Sequence, residues 1–172
     1  SRVSAVRIRP WPPYRASCEP HPRRAPFLCA PTPARRLWIA GMFDPLYTLG
    51  YARWSIDEMQ SCVEALDATL VDVRYRPHTS KPGFDRTGLR SRFGPQYQHL
   101  PAFGNVNYQG GPVELADPGA GLQAVQHLSA PLILLCGCKA PSVCHRSDVA
   151  ERIVHHYGGT IEHLQSPEER AQ

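Results

Sequence analysis

The sequence predicts an α/β fold with a mostly parallel sheet of about five strands and helices on both faces. Short apolar runs alternate with amphipathic helical patterns from residue 42 to residue 164, and this alternation is typical of parallel sheets. The run at residues 132–136 is wholly apolar, as in a strand that is buried on both faces. A chain of 172 residues is long enough for one domain with a proper core.

The first half of the predicted domain contains two strands and two helices. Residues 46–51 are rich in aromatic and β-favouring side chains and predict the first strand. Ser55 and Glu58 have the spacing of a capping box, so a helix with an apolar stripe is expected to begin there. We predict the second strand at residues 69–74 and a short helix between residues 83 and 94.

The second half continues the same alternation. We predict a third strand at residues 97–100, a helix at 119–128, a fourth strand at 132–136, a helix at 147–157 and a fifth strand at 160–164. The glycine pair that follows residue 157 is a typical helix end.

The first 41 residues differ from the rest in composition. They contain eight prolines and eight arginines against the single acid Glu19, a net charge of +7, whereas residues 42–172 carry eleven basic and fourteen acidic residues, a net charge of −3. We predict a disordered tail at 1–41, a single domain at 42–166 and a frayed end at 167–172. The abrupt change beside Met42 favours a native start at that residue, and the alternative is a basic arm that contacts nucleic acid or a membrane surface.

The cysteines and the hydropathy indicate the cellular compartment of the protein. No stretch approaches the ~20 apolar residues that would span a bilayer, and no signal-peptide pattern opens the chain. We therefore expect reduced thiols, a cytoplasmic location and no membrane partner. Of the six cysteines, Cys62 lies on a helical apolar stripe and is expected to be a buried structural thiol.

Polar side chains follow the carboxyl ends of four predicted strands, where open α/β sheets bind their ligands. We expect them to form one site. The candidate catalytic residues are Asp72, Cys136, Cys144, His145 and Arg146, and the candidate substrate-binding residues are Arg53, Arg74 and His99.

Each residue type suggests a role in this site. Cys144 falls at or near a helix N-terminus, where a thiolate is stabilised, and His145 or Arg146 would help to activate it. Arginines match phosphate and carboxylate groups with two parallel hydrogen bonds. Asp72 ends a buried run, so it needs a partner, and either Arg74 or Arg146 would serve. A structural ion pair and a catalytic acid or base both fit.

The spacing of the cysteines does not match standard motifs. Cys136 and Cys138 have one residue between them, whereas zinc pairs usually have two to four. Seven residues separate Cys138 from Arg146, which is too many for a phosphatase loop. We therefore assign no metal ligand and no cofactor from the sequence. A transition-metal site formed from Cys136, Cys144, His145 or His99 remains an alternative.

Four blocks of the chain occur in the order of a known family. They are residues 47–51, residues 70–74 with Pro77, residues 99–101 with Gly104, and Leu134-Leu135-Cys136 with Cys144-His145-Arg146. This pattern, over residues 46–154, resembles the domain-of-unknown-function 488 (DUF488) family. The resemblance implies a compact Rossmann-like three-layer domain and a bacterial or archaeal cytoplasmic setting. Arg53 departs from the family pattern, and Cys138 is a variable position in it.

These observations favour a small enzyme that acts on an anionic substrate, such as a nucleotide or another phosphate ester. The alternatives are a module that binds an anion or nucleic acid without turnover, and the transition-metal site. The sequence leaves the reaction, the binding of nucleic acid and the oligomeric state open.

Overall fold

The computed structural model describes residues 42–170, so the predictions about residues 1–41, about a start at Met42 and about residues 171–172 lie outside or at the border of the described part. Five strands form one sheet. They are β1 (Leu46–Gly50), β2 (Thr69–Asp72), β3 (Tyr97–His99), β4 (Leu132–Cys136) and β5 (Ile161–Leu164). All pairings are parallel, and the strand order is β3-β2-β4-β1-β5. The predicted α/β fold is therefore confirmed.

Helices follow the strands along the chain. They are α1 (Ile56–Leu66), α2 (Arg86–Phe93), α3 (Pro118–Val125), α4 (His145–Tyr157) and α5 (Pro167–Arg170). Short 3-10 turns lie at Tyr51–Arg53, Gly94–Gln96, Pro101–Phe103 and Pro141–Val143. None of the helices in residues 42–170 is long and apolar enough to cross a membrane.

Strand β4 lies at the centre of the sheet. Its Leu134 pairs with Thr48 of β1 on one side and with Val71 of β2 on the other. All five of its residues are buried, which explains why the strand is wholly apolar in sequence. The carboxyl end of β4 therefore opens at the middle of one edge of the sheet.

The two faces of the sheet have separate cores. One core includes Val125 of α3 with Val149 and Ile153 of α4. The other core contains Met59 and Val63 of α1, Leu89 of α2 and the thiol-bearing Cys62. Each helix buries one apolar stripe against the sheet, as expected for a three-layer domain.

A capping box explains where α1 begins. The Ser55 side chain accepts from Glu58 N–H, and the Glu58 carboxylate accepts from Ser55 N–H, so the predicted capping box is confirmed.

The described part of the chain ends in a short helix. Residues 167–170, which belong to the segment predicted to fray, form the single turn of α5. Glu169 N–H donates to Ser166 Oγ at 3.2 Å, and Ser166 N–H donates to Glu169 Oε2 at 3.0 Å. This second capping box is readable in the sequence as Ser-Pro-Glu-Glu, and Pro at the first helical position favours it.

Candidate functional site

The loop between β4 and α4 carries the densest group of reactive side chains in the described chain. Strand β4 ends at Cys136, and α4 begins at His145, two residues earlier than predicted. Cys144 is therefore the N-cap residue of α4. Ser147, in the first turn of α4, donates from its Oγ to the Pro141 carbonyl at 2.7 Å and fixes the loop against the helix.

Three thiols meet in this loop. The Sγ atoms of Cys136, Cys138 and Cys144 all lie within 4.8 Å of one another, and the Sγ atoms of Cys136 and Cys138 are 3.7 Å apart. Cys136 and Cys144 are buried, whereas Cys138 is partly exposed. All three are free thiols, so the cluster has three sulfur donors pointing at one small volume.

His145 adds a nitrogen donor to the cluster. Its Nε2 lies 2.8 Å from the Val73 carbonyl oxygen, and its Nδ1 lies 3.7 Å from Cys136 Sγ. A carbonyl oxygen only accepts, so Nε2 carries the proton and donates it to Val73. The lone pair of Nδ1 therefore faces Cys136 Sγ, and a histidine whose other nitrogen donates to a backbone carbonyl has the arrangement of metal-binding histidines.

The surroundings of Cys136 and Cys138 raise the pKa of both thiols. The pKa of Cys136 is raised to about 12: its hydrogen bond with Cys138 lowers the pKa, but the contact with Cys144 and burial outweigh that effect. The contact with Cys136 also raises the pKa of Cys138. Burial lowers the pKa of His145, but hydrogen bonds with Cys144 and Val73 raise it above its ordinary value overall.

Arg146 places a cation beside the thiols. Its side chain is 3% exposed, and its Nη1 donates to the Cys138 carbonyl at 3.0 Å. Its Nη2 lies 3.5 Å from the Lys139 carbonyl, and its buried Nε has no hydrogen-bond partner among the described residues. The hydrogen bond between Arg146 and the Cys138 carbonyl requires a glycine on β1, because a Cβ at Gly50 would lie 1.9 Å from that carbonyl oxygen.

Asp72 and Arg74 form a second group at the same edge. Arg74 Nε and Nη2 donate to the two Asp72 oxygens at 2.7 and 2.6 Å, and Asp72 is fully buried. The Tyr97 hydroxyl donates a hydrogen bond to Asp72 Oδ2 at 2.8 Å, and Arg74 Nη1 donates one to the Tyr51 hydroxyl at 3.1 Å. The expected contact between Asp72 and an arginine is confirmed, and every side chain of this group has a partner.

The two groups meet at the backbone after β2. His145 donates to Val73, which lies between Asp72 and Arg74 in the chain, so all five candidate catalytic residues lie at the carboxyl edge of the sheet. They form two hydrogen-bonded groups, one of thiols with His145 and Arg146, and one built on the Asp72–Arg74 pair.

The other two candidates lie away from the thiols. Arg53 Nη1 is 3.5 Å from Glu169 Oε1, so Arg53 pairs with the C-terminal turn. His99 Nε2 donates to the Arg74 carbonyl at 2.9 Å, on the strand that lies beyond β2 from the cluster.

Sequence reasoning missed three contributors to this edge. Cys138 is not among the residues predicted for the site, although its spacing from Cys136 is visible in the sequence. Tyr51 and Tyr97 complete the Asp72–Arg74 group, and their roles depend on tertiary contacts that no local pattern reports.

The three sulfur atoms form a candidate site for a tetrahedral metal ion, and His145 Nδ1, at 3.7 Å from Cys136 Sγ, is available as a fourth donor. With zinc–sulfur bonds of about 2.3 Å, two thiolate ligands of a tetrahedral ion lie about 3.8 Å apart. The Cys136–Cys138 separation of 3.7 Å agrees with that value. The three sulfur atoms and His145 Nδ1 would hold such an ion, while Asp72, with both oxygens bonded to Arg74, would not.

Comparisons with known proteins add no assignment: no family model matches the chain, and neither a curated protein nor a solved structure matches it.

Proposed function

We propose that the protein binds a transition-metal ion of the zinc class through Cys136, Cys138, Cys144 and His145. The observation that carries this proposal is the convergence of three Sγ atoms within 4.8 Å, with His145 Nδ1 turned toward them by its bond to Val73. Thiolate and imidazole donors in tetrahedral geometry favour zinc.

Four protein ligands leave no open position on the ion, and a closed site of this kind is structural. Cys136 belongs to β4, Cys144 and His145 belong to the start of α4, and Cys138 belongs to the loop between them. A bound ion would therefore fasten this loop and the first turn of α4 to the centre of the sheet.

Metal analysis of the full chain, reconstituted with zinc under reducing conditions, tests the proposal. We expect one equivalent of zinc per chain and a cobalt-substituted form with intense thiolate-to-cobalt absorption. Serine at Cys136, Cys138 or Cys144, or alanine at His145, should weaken binding by at least about tenfold. Cys62→Ala is the matched control, because Cys62 is buried in the other core. A wild-type chain that binds no stoichiometric metal would refute the proposal.

The second candidate is a thiol-dependent enzyme that acts on an anionic substrate, a nucleotide or another phosphate ester. Two observations favour it. Cys144 occupies the N-cap position of the thirteen-residue helix α4, and Arg146 has carbonyl partners but no carboxylate among residues 42–170. A thermal-shift screen of the metal-free chain with nucleotides and sugar phosphates tests it. A protein isolated with a full complement of metal and unreactive thiols would exclude it.

Both candidates require reduced cysteines, so we infer that the protein works in a reducing compartment, the cytoplasm. Membership of the DUF488 family remains a prediction, and so do the prokaryotic setting and an anionic partner.

A further inference from the structure

We propose that an exposed surface formed by Tyr75, Tyr108, Arg76, Arg86 and Arg90 binds single-stranded nucleic acid. None of these residues belongs to the thiol group, so this binding does not depend on the proposed metal ion. Two features of the surface support it: cations without a carboxylate partner and a pair of exposed aromatic rings.

Positive charge is concentrated in one segment of the domain. Residues 74–92 contain six basic residues against the single acid Asp85, a net charge of +5, although residues 42–172 as a whole carry −3. Asp85 is the N-cap residue of α2, and its carboxylate accepts from the N–H groups of Thr87 and Gly88. The segment is therefore a local cationic region on a domain that is otherwise acidic.

Half of these cations have no anionic or carbonyl partner within the protein. The other three are held by the pairs Arg74 with Asp72 and Arg92 with Asp57, and by the hydrogen bonds of Lys81 with the carbonyls of Tyr51 and Ala52. Arg76, Arg86 and Arg90 are exposed and form no ion pair within residues 42–170. These three guanidinium groups are available to an external anion.

The fold brings the three arginines together. The Arg86 N–H donates to the Pro77 carbonyl at 3.1 Å, so the first turn of α2 lies against the chain directly after Arg76. Arg90 follows Arg86 by four residues and therefore lies on the same face of α2. Like charges at this spacing repel each other, and a bound anion would relieve that repulsion.

Two exposed tyrosine rings adjoin these cations. Tyr75 immediately precedes Arg76 and is 36% exposed, and Tyr108, in the loop after β3, is 47% exposed. Their ring centroids are 6.3 Å apart, with 39° between the ring planes. Gly104 lets the loop approach this closely, because a Cβ there would lie 2.3 Å from the Tyr75 Cα.

The loop that carries Tyr108 is held by its own hydrogen bonds. The Val106 N–H donates to the Glu114 carbonyl at 2.8 Å, and Asn105 Oδ1 accepts from the N–H groups of Asn107 and Glu114 at 3.1 and 2.9 Å. The ring of Tyr108 is thus presented to solvent by an ordered loop. Such a ring binds a ligand without the entropic cost of ordering the loop first.

A single-stranded nucleic acid matches both features of the surface. Its unpaired bases stack on aromatic side chains, and its phosphates accept hydrogen bonds from arginine. The bases of a duplex are already stacked on one another inside the helix, so they offer no face to these rings. An acidic polypeptide would pair with the arginines but would leave both rings exposed. Rings and cations together therefore favour the single strand.

Fluorescence anisotropy tests the role of the rings, using the full chain and labelled oligouridylate or oligothymidylate of about twelve nucleotides. Tyr108→Ala should weaken binding about tenfold, because it removes a stacking contact, whereas Tyr108→Phe should bind like the wild type. Val113→Ala is the matched control, since Val113 is an exposed apolar residue of the same loop without a ring.

A salt titration of the same complexes tests the role of the arginines. Each phosphate contact with a single strand contributes about 0.7 to the slope of log affinity against log salt. Arg86→Gln combined with Arg90→Gln should therefore lower that slope by about 1.4, and Tyr108→Ala should leave it unchanged. Arg152→Gln combined with Arg170→Gln is the control, because it removes the same charge from exposed positions on α4 and α5.

Three results would overturn the proposal. One is a wild-type chain that binds neither oligonucleotide. Another is folded Tyr108→Ala and arginine variants that match their controls, which would assign the binding to residues 1–41. The third is a duplex or polyglutamate that binds as tightly as the single strand. If Tyr108→Ala does not fold, the salt slope of the arginine variant decides. A wild-type chain that binds the oligonucleotide but no zinc would refute only the proposed metal site.

Discussion

At the scale of single residues, Asp72 shows how a buried charge is held in this protein. Its carboxylate is fully buried and accepts hydrogen bonds from Arg74 and from the Tyr97 hydroxyl. The pairing raises the pKa of Arg74 despite the opposing effect of burial, which is the largest single contribution. The sequence predicted a partner for Asp72, but two partners were possible, and the choice between them depended on tertiary packing.

The first prediction concerns this pair. Asp72→Ala should lower the free energy of unfolding by about 3–5 kcal/mol, because it leaves the buried Arg74 without a counter-charge. Asp57→Ala is the control: Asp57 pairs with Arg92 at the surface, so its loss should cost no more than about 1 kcal/mol. Urea denaturation of the two variants measures the difference. Equal and small losses would contradict the structural role given to Asp72.

The second prediction concerns Cys62, whose pKa burial raises from 9.0 to about 11. Between pH 9 and pH 11 the unfolded chain loses the thiol proton while the folded chain keeps it. The contribution of the neutral Cys62 thiol to the free energy of unfolding is therefore intact below pH 9. From pH 9 to pH 11 the free energy of unfolding falls by about 1.4 kcal/mol per pH unit. Cys62→Ala should show a shallower decline over this range in urea denaturation. An identical slope in both proteins would show that Cys62 ionises normally.

At the scale of elements, the end of β1 and the loop after β4 fit together closely. Gly50 pairs with Cys136 in the sheet, and the backbone of Cys138 with the side chain of Arg146 occupies the space beside it. The helical period of α4 was readable from the sequence, but its start at His145 was not, because the pattern has no side-chain cap at Cys144.

The third prediction follows from that contact. Gly50→Ala should destabilise the protein by about 1–3 kcal/mol or more, because the added methyl group overlaps the Cys138 carbonyl. It should also weaken metal binding by displacing the loop that carries Cys138. Gly119→Ala is the control, since its Cβ meets only Asp117 Oδ1 at an ordinary 3.5 Å. Thermal melts and chelator competition measure both effects, and a Gly50→Ala protein that matches Gly119→Ala would count against the close packing.

At the scale of the whole molecule, alternation of strands and helices was enough to predict the parallel sheet. The strand order was not predictable, because it depends on which apolar faces meet over long sequence separations. The thiol cluster was underestimated for a related reason. The spacing of a standard zinc motif applies to two ligands on one short turn. Cys136 ends a strand and Cys144 precedes a helix, and the fold brings them together. Cys138 needed the loop conformation to become a ligand candidate.

The fourth prediction links the metal to global stability. A ligand that binds only the folded chain, at a thousandfold excess over its dissociation constant, adds about 4 kcal/mol to the free energy of unfolding. Zinc should therefore raise the melting temperature of the wild-type chain, and a strong chelator should reverse the rise. A variant with serine at all three clustered cysteines should not respond, whereas Cys62→Ala should. A zinc-induced rise in the triple variant would place the ion elsewhere.

The central position of β4 also constrains how the chain folds during synthesis. Strands β1 and β2 are the first strands of the sheet to leave the ribosome, but they do not pair with each other. Strand β2 can pair with β3, which precedes β4 in the chain, whereas β1 joins that pair only through β4. The sheet therefore closes only after residue 136 has emerged, and His145 must follow before the donor set is complete. Translation thus delivers most of the domain before the sheet can close or the proposed ion can be captured.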